Sequence, residues 1–317
     1  MPLYINEATV RSLISMEEAI QAVEKVLRLQ EKEDTVNFVR RRYSSGTDAT
    51  LHVMPGFVGG YEIMGTKVYA TTAVSNSFVV LLFSNTGTLL AVLEAEYLSQ
   101  LRTGAISGIA SQLLAPKNSR HFVLFGVGLQ AEAQLEATLL AIPSLNRVTL
   151  TSRSQKNGCD FIRRMEEKFP HIYFSFFPLD SIPPVVASAD IITTVTRARE
   201  PVLLGDWIHA ATHINAVGSN HPQRVELDAT AIQKCDRIVV DDLEVAAAES
   251  GDLIAAVASN VISWDRVMPL SSILTGTDSG RKTEDEVTLF ESQGMAILDL
   301  ALSYEILKKA EKISGSF

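Results

Sequence analysis

The chain has 317 residues, with 28 Lys and Arg against 37 Asp and Glu, for a formal charge of −9. Hydrophobic residues make up 46% and charged residues 21%, which excludes a disordered or collagen-like chain. The acidic balance argues against nucleic acid and anionic membrane surfaces as partners, because the protein's own field repels phosphate. A small anion held by a few local arginines is still compatible with it.

The length exceeds what one compact core usually serves, so two domains are expected. The two cysteines, Cys159 and Cys235, form no disulfide framework and read as idle thiols in a reducing compartment. The N-terminal stretch MPLYINEATVRSL lacks a basic segment followed by an apolar run. The longest strongly apolar run, Phe78 to Phe83, is far short of the ~20 residues of a membrane helix. A cytoplasmic protein is expected.

In chain order, residues 16–33 place Ala19, Ile20, Val23, Val26 and Leu27 at helical spacing. Short β-branched or apolar stretches follow: TLHVMPGF, MGTKVYAT, FVVLLF and GTLLAVLE. Asn85-Thr86-Gly87 between two of them reads as a hairpin turn. An α+β domain with a mainly antiparallel sheet is predicted up to residue 118. After Pro116-Lys117-Asn118-Ser119 strands and helices alternate: HFVLFGVG, LQAEAQLEATLLAI, RVTLTSR, CDFIRRMEEKF, IYFSFF, ADIITTVT, THINAVGS and DRIVVDD. That alternation predicts a doubly wound, Rossmann-type α/β domain with a parallel sheet over 119–290. The last stretch, GMAILDLALSYEILKKAEKI, is a long helical pattern. Packed on the first domain, it makes that domain discontinuous, 1–118 plus 291–317.

Val123-Leu124-Phe125 runs directly into Gly126-Val127-Gly128-Leu129-Gln130-Ala131 and then a helix. This is a GxGxxA turn in the strand-to-helix context that binds a dinucleotide: a tight turn, a close backbone approach for pyrophosphate, and a small residue for helix packing. The next predicted strand ends in Thr151-Ser152-Arg153-Ser154. No carboxylate stands there to hold a ribose 2′-hydroxyl or repel a 2′-phosphate, and a guanidinium with hydroxyls can accept that phosphate. NADP(H) is therefore preferred and NAD(H) remains possible, the bland alternative being that Arg153 is a solvated loop residue.

Several stretches occur together and in order: Leu51 to Gly56, Gly65-Thr66-Lys67, Arg102-Thr103-Gly104-Ala105, Gly126 to Gln130, Thr194-Val195-Thr196 with Glu200-Pro201, His213 to Gly218, and Phe290 to Ala296. Through them the chain resembles the ornithine cyclodeaminase/mu-crystallin family over nearly its full length. The resemblance implies a dimerising, substrate-binding α+β domain made from both chain ends, a Rossmann domain between them, a homodimer, and a small imino or amino acid as substrate. The chemistry it implies is hydride transfer at a carbon bearing nitrogen and carboxylate.

Such a substrate needs fixed cations for its carboxylate. Arg102 matches the family's RT motif. Arg40 matches a second family arginine, with Arg41 and Arg42 beside it leaving the register open. Lys67, in an otherwise uncharged stretch, either lies exposed on an alternating strand or turns into the site; by resemblance it contacts substrate, binding the carboxylate or giving a proton if its pKa is lowered. Asn220, in Gly218-Ser219-Asn220-His221, departs from the Asp of cyclodeaminases and alanine dehydrogenases. An amide is no general base, which favours reduction of an existing imine. His221 reads as an alternative acid–base group or as a loop cap, and Glu249 as a proton relay or a surface residue. The resemblance extends cofactor contacts to Ser75, Asn76, Thr103, Gly126, Val127, Gly128, Leu129, Gln130, Ser152, Arg153, Ser154, Thr194, Val195, Thr196, Val217 and Ser292. His209 and His213 have i, i+4 spacing, but no third ligand is evident and no metal is expected. Three readings remain: a ketimine or imine reductase, an ornithine cyclodeaminase or alanine-dehydrogenase-like enzyme, and a non-catalytic NADPH and small-ligand binder.

Overall fold

The hydrophobic patterning is realised in a computed structural model that describes residues 1–44, 46, 48–72 and 74–314. The strand β1 (Leu3–Ile5) and helices α1 (Glu7–Leu13) and α2 (Met16–Gln30) precede strands β2 (Thr35–Asn37), β3 (Arg41–Ser44), β4 (Thr50–Val58), β5 (Ile63–Thr71), β6 (Asn76–Ser84) and β7 (Leu89–Glu94). The helix α3 (Glu96–Leu114) comes next. Alternation follows: β8 (His121–Phe125), α4 (Ala131–Ala141), β9 (Arg147–Thr151), α5 (Gln155–Lys168), β10 (Tyr173–Phe176), α6 (Pro183–Val186), β11 (Ile191–Thr194), β12 (His213–Ala216) and α7 (Ala229–Lys234). Then come β13 (Arg237–Val240), α8 (Leu243–Glu249), α9 (Gly251–Ala258), β14 (Val267–Pro269), α10 (Leu270–Thr275), β15 (Thr288–Glu291) and α11 (Ala296–Ser314).

The chain divides into two units: residues 1–106 with the segment from Gly294 onward, and residues 107–293. The first boundary falls inside α3, upstream of the 118/119 division expected from composition. A Pro-Lys-Asn-Ser break marks where a helix ends, whereas here one continuous helix carries the chain from one unit to the next. The second falls just after β15, three residues beyond the expected 290/291.

In the first unit α2 starts with a capping box: Ser15 Oγ accepts from the Glu18 N–H at 3.3 Å and Glu18 Oε2 from the Ser15 N–H at 3.0 Å. Its buried stripe includes Ala19, Val23, Val26 and Leu27. The sheet order is β1-β7-β6-β5-β4-β2, with β3 also on β4. All pairs are antiparallel except β1 with β7. The turn between β6 and β7 closes with Ser84 N donating to Thr88 O, and Gly87 adopts φ +86°. Helix α3 was not foreseen, because residues 101–111 are buried without a break and so show no amphipathic stripe.

The strand period of two gives the sheet two different faces. One face carries His52, Met54, Gly56, Lys67 and Gly65 and is packed by α11. Gly56 and Gly65 are directly paired. A Cβ on Gly56 would meet Ala296 Cβ at 3.2 Å, and one on Gly65 would meet Leu81 O at 2.4 Å and Leu300 Cδ2 at 2.7 Å. This glycine pair lets α11 lie close on the sheet, with the Asn37 side chain capping its first turn by accepting from Ala296 N at 2.9 Å.

The second unit holds a parallel eight-stranded sheet in the order β10-β9-β8-β11-β12-β15-β13-β14. The chain runs outward from β8 in both directions, so the switch point lies between β8 and β11. The central strands β8, β11, β12 and β15 are buried at every residue, as a sheet covered on both faces requires. The short strands β14 and β15 lay outside the predicted elements. In β15 the hydrophobic run is only Thr288-Leu289-Phe290-Glu291 and ends in an acid.

Gly65→Ala is expected to cost at least about 2 kcal/mol by overpacking, read as a lower denaturant midpoint at unchanged m-value. A stability within error of the parent would show that α11 does not depend on the glycine pair.

Candidate active site

In the first unit the strand alternation turns Lys67 under α11, where it is 1% exposed. Its Nζ donates to Asp299 Oδ1 at 2.9 Å, and Arg102 Nε, from α3, reaches the same oxygen at 3.4 Å. Arg40, just ahead of β3, is also buried and adds its charge to the field at Lys67. Lys67 and Arg102 thus share the Asp299 carboxylate, with the Arg40 charge close enough to act on Lys67. Burial, with the Arg102 and Arg40 charges, draws the Lys67 ammonium down to about 7, against the pull of Asp299. A proton is thus held loosely near neutral pH.

Gly294 seats the second cation. It has φ +87°, and a Cβ there would lie 2.6 Å from Arg102 Nη1. Beside the cations a row of rings crosses the strands: His52 stacks on Tyr69 at 4.2 Å and Tyr69 on Phe78 at 5.1 Å. Lys67 Nζ lies 5.6 Å from the Tyr69 ring and 5.3 Å from the Phe78 ring. A flat, anionic small molecule suits such surroundings, its acid on the cations and its face on the rings.

Among the expected residues of this unit, the structure brings Arg40, Lys67 and Arg102 together. Of the three adjacent arginines, Arg40 is buried, Arg41 exposed and Arg42 half-buried. Thr103 is buried and its hydroxyl donates to Ser99 O at 2.7 Å. Ser75 is exposed in the turn before β6, hydrogen-bonded with Thr72 at 3.1 Å, and Asn76 begins β6. Asp299 and Gly294 were missed. Asp299 had a readable signal, an acid within the apolar run AILDLALS.

In the second unit the expected cofactor residues lie at the carboxyl ends of parallel strands. The Gly126 N–H donates to Thr151 O, Val195 N to Phe125 O, Val217 N to Thr194 O and Ser292 N to Ala216 O, all at 2.9–3.0 Å. Gly126 has φ +103°, and a Cβ on it would meet Val195 O at 2.7 Å. Beside Gly128 there is open space, with nothing within 4 Å of a built Cβ. Ala131, at the start of α4, is fully buried, and Val127, Leu129 and Gln130 complete the turn. This shape fits a dinucleotide: a first glycine in a conformation that a side chain would strain, room at the second, a packed third position and N–H groups at a helix start. Ser152 Oγ donates to Ser154 O at 2.9 Å, Ser154 caps α5, and Arg153 is exposed between them. Ser292 Oγ donates to Asp241 Oδ2 at 2.9 Å.

Asn220 is half-buried in the loop after β12, and Glu249 is buried at the end of α8 rather than on the surface. His213 is buried in β12 against Thr288 and Asn215. Burial and the nearby Arg281 charge push it down to about 3, so it is a neutral core histidine. Among the described residues no group of His, Cys, Asp and Glu has metal-site geometry. No helix of the described residues is long and apolar enough to cross a membrane. Also unforeseen were three buried carboxyls, Glu226, Asp252 and Glu291. Burial pushes Glu226 up to about 7 despite its hydrogen-bond donors, and Asp252 up to about 6. Burial, with the charge of the neighbouring Asp252, also pushes Glu291 well above the usual carboxylate range.

The ornithine cyclodeaminase/mu-crystallin family model matches residues 3–313. A Delta(1)-pyrroline-2-carboxylate reductase of Bacillus cereus (strain ZK / E33L) is 31% identical, over 97% of this chain and 96% of its own. Among solved structures, the Thermococcus litoralis Delta(1)-pyrroline-2-carboxylate reductase in complex with NADH and L-proline superposes with a TM-score of 0.93 at 30% identity, covering 98% of both chains. An archaeal alanine dehydrogenase dimer with bound NAD gives 0.90 at 32% identity, over 99% of this chain and 97% of that one.

Removing the carboxylate from the cation cluster strands buried positive charge, so Asp299→Asn is expected to lose about 3–5 kcal/mol of stability. In a double-mutant cycle, Lys67→Met should recover part of that loss. Strictly additive losses would show that Lys67 and Asp299 are not coupled.

Proposed function

Because the chain belongs to the ornithine cyclodeaminase/mu-crystallin family, we propose that it is a nicotinamide-dependent reductase of imines carrying an α-carboxylate, of the pyrroline-2-carboxylate or piperideine-2-carboxylate kind. The observation that carries this reading is the buried pair Lys67 and Arg102 on the Asp299 carboxylate, with the charge of buried Arg40 acting on Lys67. Arg102 and Arg40 bind the substrate's acid group through charge-assisted hydrogen bonds.

When bound, the dinucleotide supplies the hydride that the imine carbon receives. Its phosphates fit the Gly126–Gln130 turn, and Ser152, Arg153, Ser154, Thr194, Val195, Thr196, Val217 and Ser292 surround it at the strand ends, with Ser75, Asn76 and Thr103 as further contacts. Lys67 keeps the imine nitrogen protonated or donates to it. A lysine near 7 holds that proton at neutral pH and releases it without a large penalty. The family resemblance gives Asn220 the role of a hydrogen-bonding group for the substrate. As an amide it takes no proton from an amine, which favours imine reduction over amino-acid oxidation or cyclodeamination. Glu249, buried in the second unit, serves as a relay for protons.

NADPH is the preferred donor in this reading. The exposed Arg153 with Ser152 and Ser154 follows β9, and no carboxylate stands among them. The enzyme acts as a cytoplasmic homodimer. Support for the dimer comes from the sheet face opposite α11, where Leu51 and Met64 are exposed and Val53, Phe57, Val68 and Leu81 are only half-buried. A contiguous apolar face of this kind marks an interface.

The reading is tested by following NADPH and NADH oxidation with pyrroline-2-carboxylate, piperideine-2-carboxylate, and pyruvate plus methylamine. Turnover of at least one is expected, falling at least about a hundredfold in Arg102→Met. No turnover by folded, cofactor-bound protein rejects it. Arg153→Ala should raise KM for NADPH about tenfold or more and leave that for NADH unchanged; equal effects on both cofactors would remove the NADPH preference.

The pH dependence follows from Lys67, which is protonated below about 7 and neutral above. If the ammonium is the active form, kcat/KM holds at low pH and declines as pH rises through about 7. In Lys67→Arg, where the charge persists, that decline should move to higher pH. An unmoved profile would assign the decline to another group.

A further inference from the structure

The carboxylate of Glu226 is fully buried and accepts four hydrogen bonds, two on each oxygen. Oε1 accepts from the backbone N–H of Thr196 and from its hydroxyl, both at 2.7 Å. Oε2 accepts from the backbone N–H of Gly218 at 2.8 Å and from the Thr194 hydroxyl at 2.9 Å. The side chain thus bridges the chain leaving β11 to the chain leaving β12, two ends that the proposed function gives to the cofactor. Gly218 is glycine for this reason: a Cβ there would lie 2.4 Å from Glu226 Oε1 and from the backbone of Thr196. The glycine turn rests on the same segment, since a Cβ on Gly126 would meet Val195 O at 2.7 Å and Thr196 Cγ2 at 3.3 Å. The backbone of Glu226 is held in turn by Asp252, whose Oδ1 accepts from the N–H groups of Glu226 and Leu227, each at 2.8 Å.

We propose that Glu226 is the positioning residue of the cofactor site, a carboxylate clamp that fixes the ends of β11 and β12 and, through Val195 and Thr196, the platform under the Gly126 turn. The inference rests on the cofactor reading above. The donor pattern makes a carboxylate the required group. Each oxygen takes one backbone N–H, which cannot reverse its role, and one hydroxyl, which can. In Glu226→Gln the amide nitrogen, whichever way it is turned, opposes the N–H of Thr196 or of Gly218 and leaves that buried donor unpaired. The substitution therefore breaks the clamp with almost no change of volume.

The test compares the parent chain and Glu226→Gln about one pH unit above the value near 7 to which burial raises this carboxyl. NADPH and NADH dissociation constants are measured by fluorescence, and backbone exchange of residues 194–198 and 216–219 by hydrogen–deuterium exchange without cofactor. The expected result is about tenfold or more weaker binding of both cofactors, faster exchange confined to those two segments, and KM for the imine within about twofold at saturating cofactor. Unchanged exchange in the two segments, or cofactor binding equal to the parent's, overturns the proposal and leaves the reductase reading standing. Failure of the parent chain to bind either cofactor overturns both. If Glu226→Gln does not fold, Thr194→Val and Thr194→Ser decide: the valine removes one donor and should weaken cofactor binding severalfold, the serine keeps it and should restore affinity to within about twofold. Equal affinity in the two variants contradicts the clamp.

Discussion

An ammonium group almost without water organises the first unit. Burying a charge of this kind is costly unless it is paired, and the single carboxylate that pairs with Lys67 comes from the far end of the chain, at Asp299. The pairing needs α11 close to the sheet, which needs glycine at 56 and 65. Arg102 needs glycine at 294. Three glycines and one acid thus exist, in this account, to assemble a buried cluster in which Lys67 and Arg102 share one carboxylate. In the proposed reading, an α-carboxylate that binds there adds a second acid to the cluster.

The second unit solves a related problem with hydrogen bonds. A parallel sheet ends in backbone donors that no neighbouring strand satisfies. Glu226 collects the N–H groups of Thr196 and Gly218, and glycines occur where two backbones must touch. The cost is a buried acid with two more acids close behind it. Burial raises Asp252 and Glu291 above the usual carboxylate range, the charge of Asp252 adding to the rise of Glu291, which disfavours three full charges in that group.

Much of this was legible in the amino-acid order. Alternating apolar residues marked β4 to β7, and the GxGxxA turn after a buried strand marked β8 and α4. The lysine in an uncharged stretch and the RT pair in α3 pointed to the cation cluster. What escaped has physical causes. Helix α3 is buried all round and shows no stripe, and β15 is too short and polar-ended to stand out. Glu226 acts through backbone groups of residues 8 and 30 positions away, so local spacing carries no trace of it. Arg40 became distinguishable from Arg41 only through burial, since three adjacent arginines look alike as letters.

The central claim is that the Lys67 cluster receives the carboxylate of a small planar substrate. Its most direct test is calorimetric titration of pyrrole-2-carboxylate, whose ring nitrogen does not itself titrate, into the cofactor-loaded protein above pH 7 in buffers of differing ionisation enthalpy. An acid group placed beside Lys67 raises its pKa, so binding should draw up close to one proton per site, and this uptake should vanish in Lys67→Met. Binding without proton uptake, or uptake that persists in Lys67→Met, would contradict the account.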